Sequence, residues 1–179
     1  MADTGVLNAT SISQLDNTSG PAWTSPDNAI GDDGASATIT MGSIFLISDW
    51  LIGNVTHGLG PGDIINGITV SVKRKYTPDN DGPCTGELQI VKDGSLVGDA
   101  KSISNWPETT TWSSDYGGAS DLWGTTATGA NSIGVAVSGH AADKYDVLEV
   151  FAFRVTIYYS TGDGISPTGT SGTRVVLFG

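Results

Sequence analysis

Cysteine is almost missing from this chain: Cys84 is the only one in 179 residues. A single thiol excludes an intramolecular disulfide framework and any zinc site built on several thiolates. It closes the turn-like stretch Asp79-Asn-Asp-Gly-Pro-Cys84 and reads as a bystander. Histidine is nearly as scarce. His57 and His140 lack the H-x-x-x-H spacing of a helical metal site, and neither lies near a G-x-S-x-G nucleophile elbow. Both read as loop residues, so no metal, no cofactor and no catalytic residue is expected. Basic residues number 8 against 19 acidic ones, for a net charge of -11 and a pI near 4.2. A surface this acidic repels phosphate backbones and anionic headgroups, which excludes nucleic acid and membrane surfaces as main partners. No stretch approaches the ~18 apolar residues of a membrane span. The N-terminal Met-Ala-Asp-Thr-Gly is acidic and has no apolar signal core, so synthesis in a cytoplasm is expected. A 3.6-residue apolar period is also wanting; residues 141–147 allow one short turn.

What the chain has in plenty is glycine, with 25 residues, together with Ser, Thr and β-branched residues. Period-two alternation recurs. Ile68, Val70 and Val72 oppose Thr69, Ser71 and Lys73, and Leu88 and Ile90 lead into an Asp93-Gly94 hairpin turn. Ile133, Val135 and Val137 mark a further half-buried strand. The strongest strand spans 148–159: unbroken alternation puts Glu149, Phe151, Phe153, Val155, Ile157 and Tyr159 on one face and Arg154 on the other. Its apolar centre places it inside a sheet. Further strands are expected at 35–41, 44–51 and 95–102. About eight strands with irregular loops fit an all-β, two-sheet antiparallel sandwich.

The ends read differently. Residues 1–20 form a polar N-terminal arm, 21–159 the domain, and 160–179 a Ser/Thr/Gly/Pro linker closing in Arg174, Val175, Val176, Leu177 and Phe178. An apolar tip on a tether either folds back on the body or docks into a neighbouring subunit. These five residues are the candidate partner-binding segment.

Trp23-Thr-Ser-Pro-Asp-Asn-Ala29 followed by Asp33-Gly34 resembles the "W-x-N-P-x-N-A … D-G" opening of a group of jelly-roll phage virion proteins, with Ser25 where the pattern usually has Asn. Ile65-Asn-Gly-Ile-Thr-Val70, the strand and turn of 88–94, Gly117-Gly-Ala-Ser-Asp-Leu-Trp-Gly124, Ile133-Gly-Val135 and Val155-Thr-Ile-Tyr-Tyr159 follow in the same order. The resemblance covers about 21–159. It implies a jelly-roll structural component of a head or tail, most concretely a capsid cement (decoration) protein. Such a protein would form a homo-oligomer (dimer or trimer), bind the major capsid protein or another virion protein, and sit on the outer capsid surface.

Three chemistries compete with that reading. Glycoside hydrolysis needs two facing carboxylates, for which Glu87 and Glu149 are the strand-borne candidates. Calcium needs oxygen-rich loops, offered by Asp32-Asp-Gly34 and Asp79-Asn-Asp-Gly82, although neither completes an EF-hand and Asp-Gly turns need no ion. Finally, Trp106, Trp112, Tyr116 and Trp123 crowd one segment with Asp115 and Asp121. They form either the cap of an open sandwich end, a protein-interface anchor, or a platform for sugar rings in a carbohydrate-binding module of a tail or fibre. Trp23 and Trp50 are expected in the core.

Overall fold

The computed structural model describes residues 1–16, 20–42, 47–79, 83–140 and 143–162. Twelve strands and one short 3-10 turn, Pro26–Ala29, are found there. The strands are β1 (Ala2–Asp3), β2 (Leu7–Asn8), β3 (Ser11–Leu15), β4 (Ala37–Thr40), β5 (Trp50–Val55) and β6 (Ile64–Thr77). They continue with β7 (Thr85–Lys92), β8 (Ser95–Ile103), β9 (Thr111–Trp112), β10 (Tyr116–Gly118), β11 (Ile133–His140) and β12 (Val147–Ser160). All named pairings are antiparallel, and they make two sheets. The seven-stranded sheet is built around β12 and β6, with β1, β2 and β4 along β12 and β9 and β10 along β6. The five-stranded sheet runs β3-β5-β11-β7-β8. The fold is therefore an all-β jelly-roll sandwich. No helix among the described residues is long and apolar enough to cross a membrane.

Alternation decides which side of each strand is buried. Leu51, Leu88, Ile90, Val135 and Val137 face Val70, Val72, Leu148, Val150 and Phe153 in one continuous core. Each such side chain withdraws apolar surface worth about 1.5–3 kcal/mol from water. The sheets meet closely because Gly53 of β5 has no side chain where the Phe153 ring packs. The N-terminal arm is laid along the sandwich: β1 and β2 pair with β12, while β3 pairs with β5.

The expected strands at 35–41 and 95–102 appear as β4 and β8, and the strand at 148–159 as β12, between β4 and β6. Residues 44–46 of the strand expected at 44–51 lie outside the described residues; its end, from Trp50, opens β5. One expectation is corrected. β12 does not alternate evenly: Val150 opposes Arg74 and Ala152 opposes Lys73, so Phe151 is an extra residue, a β-bulge. The bulge turns Glu149 away from Phe153. Trp23 and Trp50 are both buried as expected, Trp23 in the main core and Trp50 in a second, smaller core cluster with Ile52, Val91 and Ala136 on the outward side of the five-stranded sheet.

Candidate functional site

The outer face of the seven-stranded sheet carries a connected set of interacting polar side chains. β6 and β12 send their apolar alternates inward, leaving Thr69, Ser71, Lys73 and Lys75 facing outward beside Glu149, Arg154 and Thr156. Glu149 and Arg154 are five residues apart, which on an even strand puts them on opposite faces. The bulge at Phe151 brings both to the outside. β9 then sets Trp112 opposite Lys73.

The contacts are specific. The Arg154 guanidinium lies 3.8 Å from the centroid of the Trp112 ring. Asp32 receives Lys73 Nζ at 2.6 Å on one oxygen and stands 3.9 Å from Arg154 on the other. Lys75 pairs with Glu149 at 2.9 Å, and the Ser36 hydroxyl donates to the same carboxylate at 3.2 Å. Ser71 donates to Asp115 at 2.6 Å. The ion-paired side chains are partly exposed, from 18% for Glu149 to 41% for Arg154. Exposed ion pairs contribute only about 0–1 kcal/mol each, so stability alone is a weak reason for such a ladder. Three of the eight basic residues of an acidic chain stand here.

Of the four aromatics singled out by sequence, Trp112 alone stands on this face. Trp123 is buried in the core, with Nε1 donating to the Ile68 carbonyl at 3.0 Å and Lys101 4.8 Å from its ring. Its loop is pinned by Asp121, whose carboxylate accepts from Lys101 and from the Trp123 backbone N–H. Those bonds hold Asp121 below the usual carboxylate range. Tyr116 pairs with Val70 and packs half-buried against the core. Trp106 is buried and lines a cavity of about 360 Å³ with Tyr76, Pro83, Asn105 and Glu108. Beside it the buried Arg74 donates to the Asn105 carbonyl at 3.1 Å, while its Nε and Nη1 have no hydrogen-bond partner among the described residues. Burial lowers the Arg74 pKa, which Tyr116 partly opposes.

The other candidates are dispersed. Glu87 is on the outward side of the five-stranded sheet and Glu149 on the outward side of the seven-stranded one, so the core separates them and they do not form a facing carboxylate pair. His57 braces a turn, with Nε2 2.8 Å from the Asn131 carbonyl and Nδ1 accepting from the Leu59 N–H. Asp32 is engaged by Lys73, and Asp33 accepts the Ala35 N–H. Residues 80–82 of the second acidic loop lie outside the described residues. Cys84 is buried and its thiol is pushed up to about 12, chiefly by burial and then by the Asp146 carboxylate. Arg174, Val175, Val176, Leu177 and Phe178 also lie outside the described residues. Sequence reasoning missed Arg154, Asp32, Lys73 and Ser71 as one group. Their outward alternation was legible, but the bulge and the long-range pairing that assemble them were not.

No protein-family model and no curated protein matches the sequence. Among solved structures, the chain is similar to the carbohydrate-binding module TmCBM61 in complex with β-1,4-galactotriose, at 13% identity and TM-score 0.43 over 81% of this chain and 86% of that one. It is also similar to the enzymatically active domain of bacteriophage CBA120 tailspike protein 4, at 12% identity and TM-score 0.40, over 80% of this chain but only 19% of the tailspike chain. Likenesses this distant assign neither a ligand nor an activity to this chain.

Proposed function

We propose that this chain is a non-catalytic recognition domain of a phage virion that holds carbohydrate on the outer face of its seven-stranded sheet. The observation that carries the reading is the Trp112 ring braced by Arg154 amid alternating donors and acceptors. A sugar presents an apolar ring face and hydroxyls that both donate and accept. An indole supplies the stacking surface, while Asp32 and Asp115 accept and Lys73 and Arg154 donate. Hydrogen bonds to charged groups contribute about 1.5–3 kcal/mol each, so a few of them with one stacked ring make a usable affinity. With Glu87 and Glu149 on separate sheets, the reading assigns the face no hydrolytic role. The resemblance of 21–159 to virion proteins supports the phage setting. The test is a glycan array probed with the native chain and with Trp112→Ala. The reading requires binding that the substitution abolishes while circular dichroism is unchanged; an array on which both bind alike, or neither binds, overturns it.

A second reading, a capsid cement protein on the outer head surface, is favoured by the ordered sequence fragments themselves. In it the domain bridges major capsid subunits as a homo-oligomer, and its affinity for the assembled lattice stabilises that lattice by mass action. It is overturned if a chain ending at Tyr159 decorates empty heads with unchanged occupancy.

A further inference from the structure

Beyond Arg154 the outward residues of β12 continue with Thr156 and Tyr158, because Phe153, Val155 and Ile157 all lie in the core. Across from them on β6 stand Ser71, Thr69 and Gly67, which oppose Arg154, Thr156 and Tyr158 in register. The result is a lane along the outer face. Trp112, opposite Lys73, marks one end of it and Tyr158 the other. Lys73 and Gly67 are six residues apart on β6, so the lane runs for roughly 20 Å at ~3.3 Å per residue, which no single sugar ring spans.

The floor of the lane is short and hydroxylated. Thr69 and Thr156 face each other, half-buried, with Ser71 next in line. On one border Gly117 and Gly118 of β10, opposite Thr69 and Ile68, carry no side chains, and Gly67 puts none beside the Tyr158 ring. On the other border Asn8 of β2, paired with Arg154, adds an exposed amide. Charge favours an uncharged occupant. At the Trp112 end Lys73 and Arg154 face Asp32, and Lys75 is held by Glu149, so an anionic sugar meets cations already matched by carboxylates. At the Tyr158 end the neighbouring charge is an acid, Asp3, paired with Tyr158 from β1. The chain's net charge of -11 adds a general repulsion.

Resting on the carbohydrate reading above, we propose that the site takes a linear, uncharged oligosaccharide laid along β12. Tyr158 stacks a sugar several units away from the one on Trp112, and the Thr69 and Thr156 hydroxyls bond those between. Calorimetric titration tests this with linear glucans, galactans and mannans from monosaccharide to hexasaccharide, and with galacturonic acid oligomers as the anionic series. For a backbone that binds, affinity is expected to rise about tenfold or more from monosaccharide to hexasaccharide and to be alike at low and high salt, with the anionic series weaker. Tyr158→Ala is expected to lower hexasaccharide affinity several-fold and to leave the disaccharide unchanged. If that variant fails to fold, Thr69→Arg, which blocks the lane midway, decides by the same pattern. Hexasaccharide binding no tighter than monosaccharide, or unaffected by these substitutions, overturns the proposal; so does tighter, salt-sensitive binding of the anionic series. Length-independent binding that Trp112→Ala abolishes overturns this proposal alone, whereas no binding by any saccharide overturns the carbohydrate reading with it.

Discussion

The Phe153 ring occupies the space that a side chain on Gly53 would take: a Cβ there would stand 2.6 Å from Phe153 Cδ2. β5 and β12 belong to different sheets, so this contact sets how closely the sandwich closes. Gly53→Ala is expected to overpack the core and cost about 1–3 kcal/mol, read as a lower urea midpoint with an unchanged slope. A midpoint unchanged by the substitution would show that the sheets can part at little cost.

The two outlying tryptophans separate structure from recognition. Trp123→Ala removes a buried ring and leaves the Ile68 carbonyl without its donor, so a loss of about 3–5 kcal/mol is expected. Trp112→Ala removes a half-buried ring stacked on Arg154, a contact worth about 0.5–1 kcal/mol where exposed. Denaturant unfolding of the two variants side by side checks the order. Equal losses would move Trp112 from the binding face to the scaffold.

Asp32→Ala releases both Lys73 and Arg154. At their degree of exposure, the expected stability change is about 0–1 kcal/mol, whereas saccharide affinity is expected to fall. Calorimetric titration beside a thermal melt distinguishes the two effects.

The thiol of Cys84 gives an alkaline signature. Its pKa is raised from 9.0 to about 12 in the folded chain, so the folded state keeps a proton that the unfolded state has lost. Stability is therefore complete below pH 9 and falls as pH rises towards 12, by at most roughly 1.4 kcal/mol per pH unit. Burial and Asp146 raise Tyr76 in the same direction. Urea unfolding at pH 8 and pH 10.5 should show the decline, and Cys84→Ala should reduce its slope by one proton. An identical slope in the variant would contradict the buried-thiol account.

Much of this architecture is legible before any coordinates. The alternation of Ile68, Val70 and Val72 and of Ile133, Val135 and Val137 names both strand and buried side, because the side-chain period of a strand is two. The pairing of β3 with β5 is not legible, since nothing local to residues 11–15 specifies a partner some forty residues on. The bulge at Phe151 is invisible for a related reason. An apolar residue fits either phase of Val150-Phe151-Ala152-Phe153, and only the register against β6 reveals the extra one. That single residue decides which of Glu149 and Arg154 share a face, and hence where the candidate site lies. The crowding of Trp106, Trp112, Tyr116 and Trp123 marks the right stretch of chain, but depth is a tertiary property, and two of the four rings turn inward as core.

The most direct measurement is an NMR titration of the full chain with the tightest saccharide from the array, followed for hours after mixing. The account predicts shifts concentrated at Ser71, Lys73, Trp112 and Arg154, with the saccharide signals unchanged over time. Shifts confined to the five-stranded sheet or to the cavity at Trp106, or a sugar that is cleaved during the experiment, would contradict it.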